Sequence, residues 1–96
     1  MATYVILSSF TAQGIEKVKD SPDRLAAFIK MAKKMGVNVK HCWYTVGPHD
    51  MAVVVEGADE DVTAALLKLG SLGNVRTTSM RAYSADEMKA ILKKAG

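Results

Sequence analysis

Cysteine is all but missing from this chain. Cys42 stands alone, so no disulfide can close within it. No apolar run approaches the length needed to cross a bilayer. The start, Met1-Ala2-Thr3-Tyr4-Val5, lacks a basic stretch leading into an apolar core and a cleavage site. A reduced, cytoplasmic setting without membrane association is therefore expected. Charge of one sign is also scarce, with a net of only +3. The lysine clusters at Lys30, Lys33, Lys34 and Lys40, and at Lys89, Lys93 and Lys94, read as solvated faces. Basic residues interleaved with exposed aromatics are absent, so nucleic acid is not an expected partner. Gly70-x-x-Gly73-Asn74 follows a helix and precedes a strand, the reverse of a phosphate-cradling loop. His41 with Cys42 is too small a set for a zinc site in one chain. Neither a cofactor nor a metal is expected.

What remains is ordinary globular material. The 96 residues suit one domain spanning 1–96, and 49% of them are apolar. Six methionines are many for this length and read first as core filling. Thr3 to Ser9 is a short β-rich run. Phe10 to Gly14 is a turn that opens a short helical segment through Val18. Asp20-Ser21-Pro22 starts a helix, with Ser21 able to cap and Pro22 in the first turn. Leu25, Phe28, Ile29, Ala32 and Met35 follow helical spacing, and Gly36 ends the helix. Val37 to Val46 and Met51 to Glu56 read as strands. Asp59 is expected to cap a helix bearing Val62, Ala65, Leu66 and Leu69. Gly70 to Asn74 is a loop with two sites suited to positive φ. Val75 to Ala82 is a fourth strand, and Ser84 with Glu87 forms a capping box for a last helix with Met88, Ile91 and Leu92. This order is α+β, a ferredoxin-like βαββαβ with a C-terminal helix and a four-stranded antiparallel sheet.

The hairpin at residues 43–55 sets the facing of the central strands. A tight turn on Pro48-His49 pairs Gly47 with Asp50 and Val46 with Met51. That register puts Val37, Val39, His41, Trp43 and Thr45 on one face with Ala52, Val54 and Glu56. Asn38, Lys40, Cys42, Tyr44 and Val46 share the other with Met51, Val53 and Val55. Both faces are apolar near the turn, yet the helices can cover only one. A second copy of the chain is the economical cover, giving a dimeric α+β barrel. Cys42, Tyr44, Met51, Val53 and Val55 are the expected dimer-facing set, and a higher homo-oligomer remains open.

Five stretches carry a resemblance to a known family. They are Thr3-Tyr4-Val5, Phe10-Thr11-Ala12-Gln13-Gly14-Ile15, Lys19-Asp20-Ser21-Pro22, the hairpin turn, and Leu72-Gly73-Asn74-Val75-Arg76-Thr77. With them the chain resembles the GYD-domain family, small proteins named for a Gly-x-Tyr-Asp turn. The resemblance implies a dimeric ferredoxin-like fold and little about function. Gly47 and Asp50 match, but His49 stands where the family's tyrosine would be, so a role resting on that hydroxyl does not carry over. A similar hairpin occurs in effector-binding domains of leucine-responsive-type regulators, which bind small ligands at subunit interfaces; that is analogy at the level of fold.

The candidate ligand-binding residues are Tyr4, Ser8, Trp43, Tyr44, His49, Asp50 and Thr78. Asp50 is suited first to pinning the hairpin through loop N–H groups. His49 sits at a turn tip, where exposure is the ordinary outcome and ligand or pH sensing the sharper one. His41 opposite Glu56 reads as a cross-strand polar pair. Trp43 and Tyr44 point to opposite faces, one toward the core and one toward the dimer cavity. Tyr4, Ser8 and Thr78 are candidates for the same cavity. No complete catalytic set emerges. A small-ligand-binding or assembly module is favoured, and an oxygenase-like or isomerase-like enzyme of the dimeric α+β barrel class is the alternative.

Overall fold

The computed structural model describes all residues, Met1–Gly96. The elements run β1 (Ala2–Phe10), α1 (Ala12–Glu16), a 3-10 turn (Val18–Asp20), α2 (Ser21–Lys34), β2 (Asn38–Tyr44), β3 (Met51–Gly57), α3 (Asp59–Ser71), β4 (Val75–Ala82) and α4 (Ala85–Ala95). The strands form one antiparallel sheet in the order β2-β3-β1-β4. This is the ferredoxin-like α+β fold expected from the residue pattern. Helices α2 and α3 cover one face. Ile6, Val53 and Val55 from the sheet meet Phe28, Ala32, Val62 and Ala65 from the helices in the core.

Helix ends follow local chemistry, with two departures. Ser84 accepts from the Glu87 N–H and the Glu87 carboxylate accepts from the Ser84 N–H, so the capping box at α4 is complete. Gly36 takes φ 87° just beyond the end of α2, as a left-handed stop requires. Ser21 does not cap α2, because its hydroxyl is turned to that of Tyr44, 2.9 Å away. Asp59 does not cap α3. Ala58 occupies that position, and the Asp59 carboxylate is engaged by the Tyr4 hydroxyl at 2.7 Å and by Arg81 at 3.8 Å. Gly70 lies inside α3, so only Gly73 of that pair takes a positive φ.

The β2–β3 register is the main correction. Tyr44 pairs with Met51, Cys42 with Val53 and His41 with Val54. Thr45 to Asp50 form a longer loop, closed by Thr45 N–H to Asp50 O at 2.9 Å and Thr45 Oγ1 to His49 O at 2.6 Å. The tight turn fails because Asp50 is engaged elsewhere: its N–H donates to Ser8 O at 2.8 Å, and its carboxylate accepts from Phe10 N–H at 2.8 Å. The shift is two residues, so the alternation near the loop survives. A bulge at Lys40 then breaks it, pairing Val39 with Val55. Val39 therefore joins Cys42 against the core instead of sharing a face with His41. His41 does not face Glu56. Its ring stacks on Trp43 at 5.3 Å, and Glu56 lies 4.0 Å from Lys40.

The face assignment reverses with it. Met51, Val53 and Val55 are buried beneath the helices, with Cys42 and Tyr44 on the same side, so this set does not face a partner. The uncovered face carries Val5, Leu7, Ala52, Val54, Trp43 and Met80. Trp43 and Met80 are about half exposed there, at 53% and 45%. Helix α4 has no buried residue and no substantial packing contact with another element, and its Met88, Ile91 and Leu92 stand open to solvent.

Two outcomes follow for stability. The Ser84 hydrogen bonds hold the Glu87 carboxyl below its ordinary 4.5. A depressed carboxyl contributes stability above its unfolded pKa and loses it as pH falls through the folded one. Amide exchange in α4 should therefore accelerate as pH drops below that ordinary value, after correction for intrinsic rates. In Glu87→Gln this acid-dependent component should vanish. Separately, a Cβ on Gly14 would stand 1.9 Å from Asn74 O, backbone that cannot yield. Gly14→Ala should cost about 3 kcal/mol in urea unfolding.

Candidate functional site

The chemistry-bearing residues gather at one end of the sheet, where β1 ends and β4 begins. Thr11 N–H donates to Asn74 O at 3.1 Å, and its hydroxyl donates to Gly73 O at 2.6 Å. Gln13 Nε2 reaches Leu72 O at 3.2 Å and Asn74 Oδ1 at 3.0 Å. Gly14 lies against Asn74 so closely that no side chain fits between them. Arg24 on α2 donates to Lys17 O at 3.0 Å and Gly14 O at 3.1 Å, locking α1 onto α2. Asp50 brings the hairpin loop to Phe10 in the same region. The stretch 10–15, the loop at 72–77 and the hairpin turn thus form one hydrogen-bonded clamp.

Behind this clamp, between the helix layer and the sheet, lies a recess of about 420 Å³. Its walls are mainly apolar, with Phe28, Met31, Leu66 and Leu69 on the helices and Ile6 and Val53 on the sheet. Ser8 and Thr77, paired across β1 and β4, also face it. A second, more open depression of about 600 Å³ lies on the uncovered sheet face, bordered by Leu7, Ser9, His49, Arg76 and Thr78. No three His, Cys, Asp or Glu side chains converge anywhere in the chain.

The candidate residues do not share one cavity. Ser8 faces the inner recess, and Tyr44 reaches its rim through the Ser21 hydroxyl. His49 and Thr78 meet in the outer depression. Trp43 is on the uncovered face at the β2 edge. Tyr4 is at the opposite end, tying β1 to α3 through Asp59, with the Arg81 guanidinium 5.8 Å from its ring. The Asp59 hydrogen bond, aided by burial and the Asp59 charge, raises the Tyr4 hydroxyl above its ordinary 10.0. Asp50 pins the hairpin, to β1 rather than to its own loop. Burial pushes the Cys42 thiol up, away from thiolate chemistry. Sequence reading missed Ser21, Arg24, Arg76 and Thr77. Of these, Thr77 was signalled by its position: it is the hydroxyl opposite Ser8 once β1 and β4 are aligned.

The clamped stretches are among those that carry the sequence resemblance, and residues 4–92 match the GYD domain family model. The chain belongs to the GYD domain family. A curated relative from Thermus thermophilus is 33% identical over 95 residues, covering 97% of this chain and 100% of its own length. It is named "Glutamine synthetase and cystathionine beta-lyase binding protein". Among solved structures, a hypothetical protein from Pyrococcus horikoshii superposes with a TM-score of 0.62 at 21% identity, covering 88% of this GYD domain and 92% of that chain. A feast or famine regulatory protein from M. tuberculosis, complexed with L-methionine, gives 0.63 at 17% identity over 88% of this chain and 54% of its own. These last two likenesses establish the shared fold. In this GYD domain the tyrosine position of the turn holds His49, and the turn's aspartate does its work through its carboxylate and backbone alone.

Removing that carboxylate strips Phe10 N–H of its acceptor. Asp50→Ala should lower unfolding free energy by about 2 kcal/mol, the range for a hydrogen bond to a charged group. Amide exchange at Phe10 and Thr45 should rise first. Unchanged stability would mean that the tether does not hold the loop.

Proposed function

We propose that this GYD domain is a homo-oligomeric binding module that docks on metabolic enzymes rather than catalysing a reaction. The observation that carries this reading is the chain-long likeness to a relative named for binding glutamine synthetase and cystathionine β-lyase. The site chemistry is consistent with it. Tyr4, Tyr44 and Asp50 are each committed to a structural hydrogen bond, and no acid–base pair is left facing a cavity.

The uncovered sheet face supports the oligomeric part. Val5, Leu7, Ala52 and Val54 are central-strand side chains with nothing of their own chain above them. An apolar face of this kind marks an interaction surface. A second copy packed sheet to sheet would cover it. The exposed Met88, Ile91 and Leu92 of α4 are further apolar surface that a partner could cover. In such a pair, His49 and Thr78 would lie beside the interface, where a small ligand could join them. A cytoplasmic setting, where such enzymes work, is part of the same proposal.

Sedimentation equilibrium should find a dimer or larger assembly at micromolar concentration. Val54→Asp, which places a charge at the centre of the face, should weaken self-association at least 100-fold while leaving the circular dichroism spectrum intact. Isothermal titration against purified glutamine synthetase and cystathionine β-lyase should give saturable binding to at least one. Heat of binding to neither enzyme would sink the partner assignment, and a monomer at all concentrations would sink the oligomeric one.

A further inference from the structure

The apolar recess between the helices and the sheet lies within a single protomer and is not explained by partner binding. It opens to solvent on one side and holds about 420 Å³, comparable to the liquid volume of about 14 waters. An apolar concavity of this size falls within the range of small-molecule sites. The recess lies between the helix layer and strands β1, β3 and β4, with Leu25 and Phe28 of α2 and Leu66 and Leu69 of α3 among its walls.

Two hydroxyls at its floor give the recess chemical direction. Ser8 is 5% exposed, yet its side chain makes no hydrogen bond to any protein group. Its oxygen is not sealed off, since no fully enclosed polar side-chain atom lacks a partner. It therefore opens into the recess that it lines. Thr77, its cross-strand neighbour, is likewise without a side-chain partner. A hydroxyl open to an apolar recess and free of protein partners can pair with a ligand oxygen at this spot. The other polar groups around the recess are already engaged. Ser21 bonds Tyr44, Asn74 Oδ1 accepts from Gln13, and Arg24 donates to two carbonyls. The floor thus offers two uncharged hydroxyls, and Arg24, the one charged side chain in the lining, has N–H groups turned to the Lys17 and Gly14 carbonyls.

We propose that this recess is a binding site for a small, mainly apolar molecule with one hydroxyl or carbonyl end, which Ser8 and Thr77 hold. About ten non-hydrogen atoms fit the volume once imperfect packing is allowed for. The site needs only one protomer, so its test is separate from that of the assembly.

The experiment is an NMR titration of the full chain with 1-octanol, octanoate and toluene as probes. Octanol should give saturable shifts at Ile6, Phe28, Leu66 and Leu69, and it should do so equally in the Val54→Asp variant. Thr77→Val keeps the shape and removes one hydroxyl; it should weaken octanol about fivefold and leave toluene unchanged. Octanol shifts confined to Val5, Leu7 and Val54, or no saturation with any probe, would overturn the site. Octanoate binding more tightly than octanol would assign the polar end to the Arg24 charge and overturn the role of the hydroxyls. An equal loss for octanol and toluene in Thr77→Val would overturn the role of the hydroxyls. The localisation is read on the unsubstituted protein, so it stands even if a variant folds poorly.

Discussion

The carboxylate of Asp50 on the Phe10 N–H is the contact from which the rest of the arrangement follows. It draws the end of the β2–β3 loop across to β1, while the Asp50 N–H goes to Ser8 and only its carbonyl is left to the hairpin. The loop then closes through Thr45 instead, which moves the β2–β3 register by two residues. Side-chain alternation in a strand has a period of two, so this shift is silent near the loop. The bulge at Lys40 is not, and it returns Val39 to the core that Val37 and Val55 occupy. One charged hydrogen bond and one extra residue thus decide what lies under the helices and what is left bare.

Both layers of the fold leave apolar surface unmatched, for different reasons. On the helix side α2 and α3 seal the core around Ala32, Val37, Val55 and Val62 but leave the apolar recess beside Leu66 and Leu69 unfilled. The clamp of Thr11, Gln13 and Gly14 on the 72–74 loop closes that end, which lets the recess persist without collapse. On the other side there is no second layer at all. The first is a space suited to a small molecule, the second a surface suited to another polypeptide. A protein with both has the means to join what it binds to what it docks on.

The stretches that carry the family resemblance acquire a physical meaning from these contacts. They are dispersed in the chain, at residues 10–15, 47–50 and 72–77, yet they contact one another in space. Gly14 is required because the Asn74 carbonyl fills the volume of a side chain. The turn aspartate is required because Phe10 N–H has no strand partner at that point. The residue before it in the turn makes no comparable contact through its side chain, which accounts for how His49 can stand in for a tyrosine.

The order of elements, the capping box at Ser84, the stop at Gly36 and the family itself were legible in the sequence. These rest on local chemistry: periodicity, side-chain oxygens one turn from an N–H, and the freedom of glycine. Ser21 and Asp59 look like helix caps by the same local rules. They are not, because Tyr44 and Tyr4 compete for their oxygens from strands that lie 23 and 55 residues away along the chain. The candidate site was readable as a set of residue types, but not as a place. Ser8, Thr78 and Tyr4 sit on two faces and at two ends of one sheet. Their grouping depends on register, and register here was decided by a hydrogen bond between residues 40 apart. Local rules set which segments form; only the tertiary contacts, by competing for the same donors and acceptors, decided which faces they present.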